Sequence, residues 1–236
     1  MAMIFAPPIM IVSLPRFAAP ATARYKRAMT YKLYASHGCG SMLVEAAFAK
    51  AALPLDIVDI DWDDTGWDSA RLKALNPLGQ VPVLVLPDGS VMTESAAILM
   101  YLTEIAPQAA LAPAIGDPTR PQFLRWLQFL VSAVYPTFTY GDRPERWLPG
   151  HADAGEALTN VNIEHRKAMY RHMEAHAGAP YFLGAQVGLI DIYMWAMNHW
   201  RPRQDWFAAE TPKLHAIAEA MRREPWIAAV AQRNGL

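Results

Sequence analysis

The sequence predicts an α/β domain at the N-terminus followed by an all-helical domain. Three observations carry this. Two short strand-like runs between Tyr31 and Ile60 bracket a segment with helical periodicity, the pattern of a βαβ unit. Two further apolar runs between Val81 and Met92 are joined by a Pro-Asp-Gly turn, the signature of a hairpin. Beyond Pro118 the periodic segments are helical.

Taken in order, Tyr31 to Tyr34 is the first strand. Ser41 to Ala52 follows as a helix with Val44, Ala47, Phe48 and Ala51 on one face, and Leu55 to Ile60 is the second strand. Asp68 to Leu75 reads as a helix stopped by Asn76-Pro77, because the residue before a proline is pushed away from helical angles. Val81 to Leu86 and Ser90 to Met92 form the hairpin around Pro87-Asp88-Gly89. Glu94-Ser95 then opens a helix whose apolar positions are Ile98, Tyr101, Leu102 and Ile105. Pro107 to Pro118 holds three prolines and a glycine without periodicity and reads as a linker, bounded at 107–117. In the helical part, Phe123, Leu127, Leu130 and Val134 mark one helix, and Leu158, Val161, His165 and Ala168 a weaker face of another. Thr211 caps a helix that carries Pro212 at its first position and continues through Leu214, Ile217, Ala218 and Met221, and Pro225 opens a last short helix. The domains are thus 29–106 and 118–236. Residues 1–28, apolar and proline-rich, read as a disordered extension, with Met29 as the functional beginning. Ala21 to Ala23 superficially suits a signal peptidase, but no positive charge precedes the apolar part and Pro7, Pro8 and Pro15 interrupt it.

Composition narrows the function. A formal net charge of −1 with 18% charged residues offers no basic face for nucleic acid or an anionic membrane. No apolar run approaches the roughly 18 residues of a membrane span. Cys39 is the sole cysteine, which rules out an intrachain disulfide, a C-x-x-C dithiol and a cysteine zinc cluster, and suits a reducing cytoplasm. His172 and His176 are one helical turn apart, but Glu174 is at the wrong offset for H-E-x-x-H and no third ligand is evident, so no metal is expected.

The sharpest local conflict is Pro82 inside a strand-like run: proline cannot donate to a sheet ladder, so it should sit at an edge, a bulge or a cis bond. A cis Val81-Pro82 bond would turn the Val81 N–H and C=O outward, where an extended peptide can pair with them as an added strand. Ser95 suits an N-cap, and its hydroxyl and the open N–H groups of the helix start suit a carboxylate, while Glu94 suits an ammonium. Taken alone, these two residues need be no more than a cap and a favourable dipole charge.

Taken together, Asn76-Pro77-Leu78-Gly79-Gln80-Val81-Pro82, the hairpin and Glu94-Ser95 resemble the glutathione transferase superfamily, over roughly Tyr31 to Gly235. The resemblance implies a thioredoxin-like N-terminal domain, glutathione as co-substrate and a homodimer. It places the cysteinyl backbone of glutathione on Val81 and the γ-glutamyl end on Glu94 and Ser95, with Gln80 a weaker contact. The helical domain supplies an apolar wall for a second substrate, for which Trp126, Phe129, Tyr135, Phe138, Tyr140 and Trp147 are candidates and plain core is the competing reading. Gly188 departs from the family's capping motif, leaving Asp191 without a side-chain partner at the helix start.

The resemblance does not fix the sulfur chemistry. Tyr34-Ala35-Ser36-His37-Gly38-Cys39-Gly40-Ser41 leads into a helix whose N-terminal N–H groups favour a thiolate. Cys39 stands where theta- and delta-like members carry a serine, whereas beta-like members place their cysteine at the position of Gly40. Cys39 is the first candidate, as a low-pKa thiolate or a weak donor, with an inert buried thiol as the plain alternative. Ser36 and Ser41 are the hydroxyl candidates, Tyr34 is a strand residue, and His37 is a substrate contact or a loop residue. The expected function is conjugation of the glutathione thiolate to small apolar electrophiles. A glutathione-dependent disulfide reductase or thioltransferase using Cys39 is the second reading, and a non-catalytic binding protein of the same fold is the third.

Overall fold

The computed structural model describes residues 30–61 and 67–236; the expectations for residues 1–28 and for Met29 lie outside the described residues. β1 (Tyr31–Ala35), α1 (Ser41–Ala51) and β2 (Leu55–Asp59) form the βαβ unit, and α2 (Trp67–Leu75) precedes the hairpin β3 (Val83–Val85) and β4 (Val91–Met92). The sheet order is β2-β1-β3-β4, with β1 parallel to β2 and the other pairs antiparallel. α1 is the crossover that parallel pairing requires. Along β1 the side chains alternate: Tyr31, Leu33 and Ala35 are buried in the main core, while Tyr34 packs on the opposite face against the smaller cluster of Ile60, Leu72 and Val83.

α1 is more deeply enclosed than its one apolar face predicts. Every residue from Ser41 to Phe48 is buried, because α3 (Ser95–Ile105) covers one side and α7 (Leu189–His199) and α10 (Ala228–Arg233) cover others. Glu45, enclosed with them, accepts from Asn234 at 3.2 Å and pairs with Arg233 at 3.4 Å; burial raises its pKa despite these partners.

Between α3 and the next helix the chain makes only a 3-10 turn, Pro107–Ala109. α4 (Arg120–Phe129), a π turn (Leu130–Val134) and α5 (Tyr135–Gly141) then run on as one interrupted rod, with Phe123, Leu127, Leu130 and Val134 all buried as the periodicity predicts. The wide turn precedes Pro136, which has no N–H to donate and whose ring crowds the carbonyl four residues back; the π turn absorbs both effects.

α6 (Ala152–Glu174) corrects the sequence reading. Val161, His165 and Ala168 face solvent, and the buried face is Gly155, Arg166, Met169, Tyr170 and Met173. A buried arginine breaks the apolar pattern. The Arg166 guanidinium lies 3.4 Å from the centre of the Phe138 ring and donates to the Thr137 hydroxyl and the Arg201 carbonyl at 2.8 and 2.9 Å.

α7 is buried along nearly its whole length. At its start Asp191 accepts from the N–H of Gly188 at 2.8 Å and of Phe182 at 2.7 Å. The absence of a side chain at Gly188 has a steric reason: a Cβ there would lie 3.0 Å from the Leu111 carbonyl oxygen, which accepts from the Leu189 N–H at 2.8 Å. After α8 (Gln204–Glu210), α9 (Pro212–Arg222) begins at Thr211-Pro212 as expected, but the Thr211 hydroxyl turns back to the Phe207 carbonyl. Glu174 does the capping, accepting from the N–H groups of Lys213 and Leu214 at 3.0 Å each.

Candidate active site

The loop after β1 is held from several directions. The Ser41 hydroxyl accepts from the Ser36 N–H at 3.1 Å and donates to the Ser36 carbonyl at 3.0 Å, closing the loop on itself. From the far end of the chain, Asn234 accepts from the Gly38 N–H at 2.9 Å and the Arg233 carbonyl meets His37 Nδ1. Trp200, just past α7, donates its indole N–H to the Gly38 carbonyl at 2.8 Å. So anchored, the loop presents Gly38, Cys39 and Gly40 to a cleft of about 500 Å³ between the sheet domain and the helices.

The opposite wall is the stretch from Asn76 to Pro82, together with the start of α3. Asn76 donates to the Gln80 carbonyl at 3.0 Å and accepts from the Leu78 N–H at 3.2 Å, which shapes the approach to Val81. Val81-Pro82 is cis, one of the three placements the sequence left open, and Pro82 lies off the β3 ladder. Among the described residues no hydrogen bond occupies the Val81 N–H or C=O. Glu94, not Ser95, is the N-cap of α3. It is a non-glycine residue held at φ +65, ψ +105, a sparsely populated conformation that costs on the order of 1–3 kcal/mol and is typical of sites whose surroundings over-determine the backbone. Ser95 is therefore the first helical residue, and its hydroxyl is 3.4 Å from that of Tyr193 on α7. Gln80, Val81, Glu94 and Ser95 all line the cleft.

The third wall comes from the helices: Val131, Tyr135, Pro136, Phe138, Thr139 and Trp147, with Tyr193 and Trp200 behind them. Tyr135, Phe138 and Trp200 pack edge to face at 5.3 to 6.0 Å between ring centres. Asp142 also lines the cleft, and burial raises its pKa against the opposing pull of Arg166 and Arg201.

Relatives of known family share this architecture. Residues 44–105 match the family model of the glutathione S-transferase N-terminal domain. Over 205 residues the chain is 40% identical to an uncharacterized GST-like protein, YncG, of Escherichia coli strain K12, an alignment spanning 86% of this chain and 98% of that protein. The chain belongs to the glutathione S-transferase superfamily. Among solved structures, a glutathione transferase homologue from Sulfitobacter with bound glutathione matches with a TM-score of 0.78 at 30% identity, over 88% of this chain and 99% of that one. A sphingomonad glutathione S-transferase complexed with glutathione matches with a TM-score of 0.68 at 27% identity, over 87% of this chain and 99% of that one. The four-stranded mixed sheet and the helical domain behind it are the superfamily's thioredoxin-like plan.

Within that family frame, the residues named from sequence separate cleanly. Cys39, Gln80, Val81, Glu94 and Ser95 reach the cleft, whereas Ser36 and Ser41 do not line it. Ser41 is fully buried with its hydroxyl engaged on both sides, and the Ser36 side chain hydrogen-bonds Cys39. Burial is the largest influence on the Cys39 thiol and raises its pKa; the Ser36 bond lowers it and Asp142 raises it. This environment does not favour the low-pKa thiolate expected for Cys39. His37 is turned to Arg233 and Asp59, away from the cleft. Of the six aromatic candidates, Tyr135, Phe138 and Trp147 line the cleft. Trp126 and Phe129 instead form a cluster with Phe182, His172 and His176, and Tyr140 packs on Trp147. Among the described residues no group of three or more His, Cys, Asp or Glu side chains is placed to hold a metal ion, and no helix is long and apolar enough to cross a membrane. Sequence reading missed Tyr193, Trp200 and Asp142. Only Tyr193 had a nearby signal, lying two residues past Asp191 on the helix that the capping motif opens.

Proposed function

We propose that this chain is a glutathione transferase that conjugates the thiolate of glutathione to small, largely apolar electrophiles. The observation that carries the reading is one cleft lined at once by Val81, by Glu94 and Ser95, by the N-terminus of α1 and by an aromatic wall from the helices. The unoccupied N–H and C=O of Val81 suit the cysteinyl backbone of the tripeptide. The Ser95 hydroxyl and the first amides of α3 suit its γ-glutamyl carboxylate, and Glu94 suits the ammonium. Gln80 lines the same cleft and is a weaker contact. The sulfur then falls toward Cys39 and Gly40, where the N-terminal amides of α1 favour negative charge. The aromatic wall, with Val131 and Pro136, holds the electrophile beside it.

Conjugation is favoured over thiol-disulfide exchange by the surroundings of Cys39, since burial and Asp142 disfavour a resting thiolate there. Retention on immobilised glutathione tests the binding half of the reading, and a protein that flows through counts against it. An activated aryl halide and a glutathione mixed disulfide, assayed side by side with wild type and Cys39→Ser, test the chemistry. Conjugation that survives the substitution is expected. Loss of both activities in the variant would move the reaction onto Cys39.

A further inference from the structure

We propose that the side chain holding the glutathione thiolate comes from the helical domain: Tyr135, at the first position of α5, donates its hydroxyl hydrogen to the sulfur. This rests on the glutathione transferase reading above and extends it to a residue outside the loop that follows β1.

The geometry is specific. A Cβ built on Gly40 would lie 2.1 Å from the Tyr135 hydroxyl oxygen and 3.3 Å from the ring carbon that bears it, so the hydroxyl is in contact with the N-cap residue of α1. The absence of a side chain at position 40 is what lets it approach. Among the described residues neither the Gly40 nor the Ser41 N–H donates a hydrogen bond, and the Tyr135 hydroxyl has no hydrogen-bonding partner. Two of these open donors, the Gly40 N–H and the Tyr135 hydroxyl, belong to residues that line one end of the cleft, beside Cys39. The loop's own hydroxyls are committed: Ser41 to the Ser36 backbone, Ser36 to Cys39. The ring of Tyr135 is fixed by Phe138 and Trp200, and Trp200 is itself bonded to Gly38 of the same loop. Burial, reinforced by Tyr193, Cys39, Asp142 and Glu94, drives the Tyr135 pKa far above its ordinary value, so the group stays protonated at neutral pH and serves as a donor, not as a base.

The proton balance follows. The glutathione thiol releases its proton to solvent, Tyr135 keeps its own, and its hydrogen bond, with the Gly40 amide, stabilises the remaining thiolate. The sulfur pair forms the C–S bond to the electrophilic carbon, and with an aryl halide the carbon–halogen bond breaks with its pair leaving on halide.

The test is Tyr135→Phe, measured by calorimetric titration with glutathione, by the ultraviolet absorbance of the bound thiolate against pH, and by the pH profile of kcat/KM for an activated aryl halide. The expected result is glutathione affinity within about threefold of wild type, at least about tenfold less thiolate at neutral pH, and a matching loss of kcat/KM that recovers as pH rises. Gly40→Ala provides the second variant. Its methyl displaces the hydroxyl and should reproduce the titration change, while adding little on top of Tyr135→Phe because the clashing oxygen is gone. A wild type that binds glutathione and a Tyr135→Phe variant whose bound thiol titrates identically would overturn the role of Tyr135 alone; a wild type that binds no glutathione would overturn both this role and the reading beneath it.

Discussion

Replacing Asp191 by Asn probes the pillar on which the cleft's rear wall stands. Asp191 opens α7, which two residues later places Tyr193 against Ser95. Its carboxylate is 2% exposed, and although it accepts from two backbone N–H groups, burial dominates and raises its pKa from the ordinary 3.8 to about 6. The folded state therefore holds a proton that the unfolded chain has released across the interval from about pH 4 to 6, and stability falls as pH rises through that window. At roughly 1.4 kcal/mol per pH unit the gap corresponds to about 3 kcal/mol, fully expressed above pH 6. The Asp191→Asn variant has no such titration but offers one acceptor oxygen where two N–H groups need one each, at a cost of about 1–3 kcal/mol. Urea unfolding of both proteins at intervals from pH 4 to 8 measures the difference directly, and comparing the pair cancels other buried acids such as Glu45 and Asp142. The variant should be the less stable protein near pH 4, and the gap should close by about 3 kcal/mol toward pH 7. Stabilities that run parallel across the range, or a wild type that gains relative to the variant with rising pH, would refute the reasoning and show that the amides and helix dipole outweigh burial.

Two further predictions follow from the same structure. Ser95→Ala and Glu94→Gln should each weaken glutathione binding by roughly tenfold in calorimetric titration, the value of one hydrogen bond to a charged group, while leaving thermal unfolding nearly unchanged because neither side chain supports the core. Gly188→Ala should destabilise by roughly 1–2 kcal/mol, lowering Tm by about 2–8 °C, because its Cβ meets the Leu111 carbonyl at 3.0 Å and a backbone oxygen cannot rotate away.

The α/β unit was legible because its signals are local. The run from Tyr31, the periodicity through Val44 and Phe48, and the stop at Asn76-Pro77 each reflect a backbone preference decided within a few residues. Pro82 marked its own anomaly for the same reason, and the structure resolves it as a cis bond. Where the sequence misled, a distant partner had intervened. The buried face of α6 is marked by Arg166, which reads as surface until Phe138 and Thr137 are seen to enclose it. Ser95 has the composition of a cap, yet Glu94 occupies that position in α3; Thr211 does cap α9, but Glu174 rather than its own hydroxyl satisfies the first amides. Ser41, a hydroxyl candidate by position, spends its hydroxyl on the Ser36 backbone.

By itself, the sequence determined the strands and helices of the α/β unit and where the hairpin turns, since these follow from periodicity and turn chemistry, and its motif placed Val81, Glu94 and Ser95 by family resemblance. Only the tertiary structure decided what surrounds the loop after β1. The approach of the Tyr135 hydroxyl to Gly40, the clamp of Asn234 and Trp200 on Gly38, and the enclosure that raises the Cys39 thiol join residues far apart in sequence. Each depends on packing between the two domains, and no local preference of the backbone encodes it.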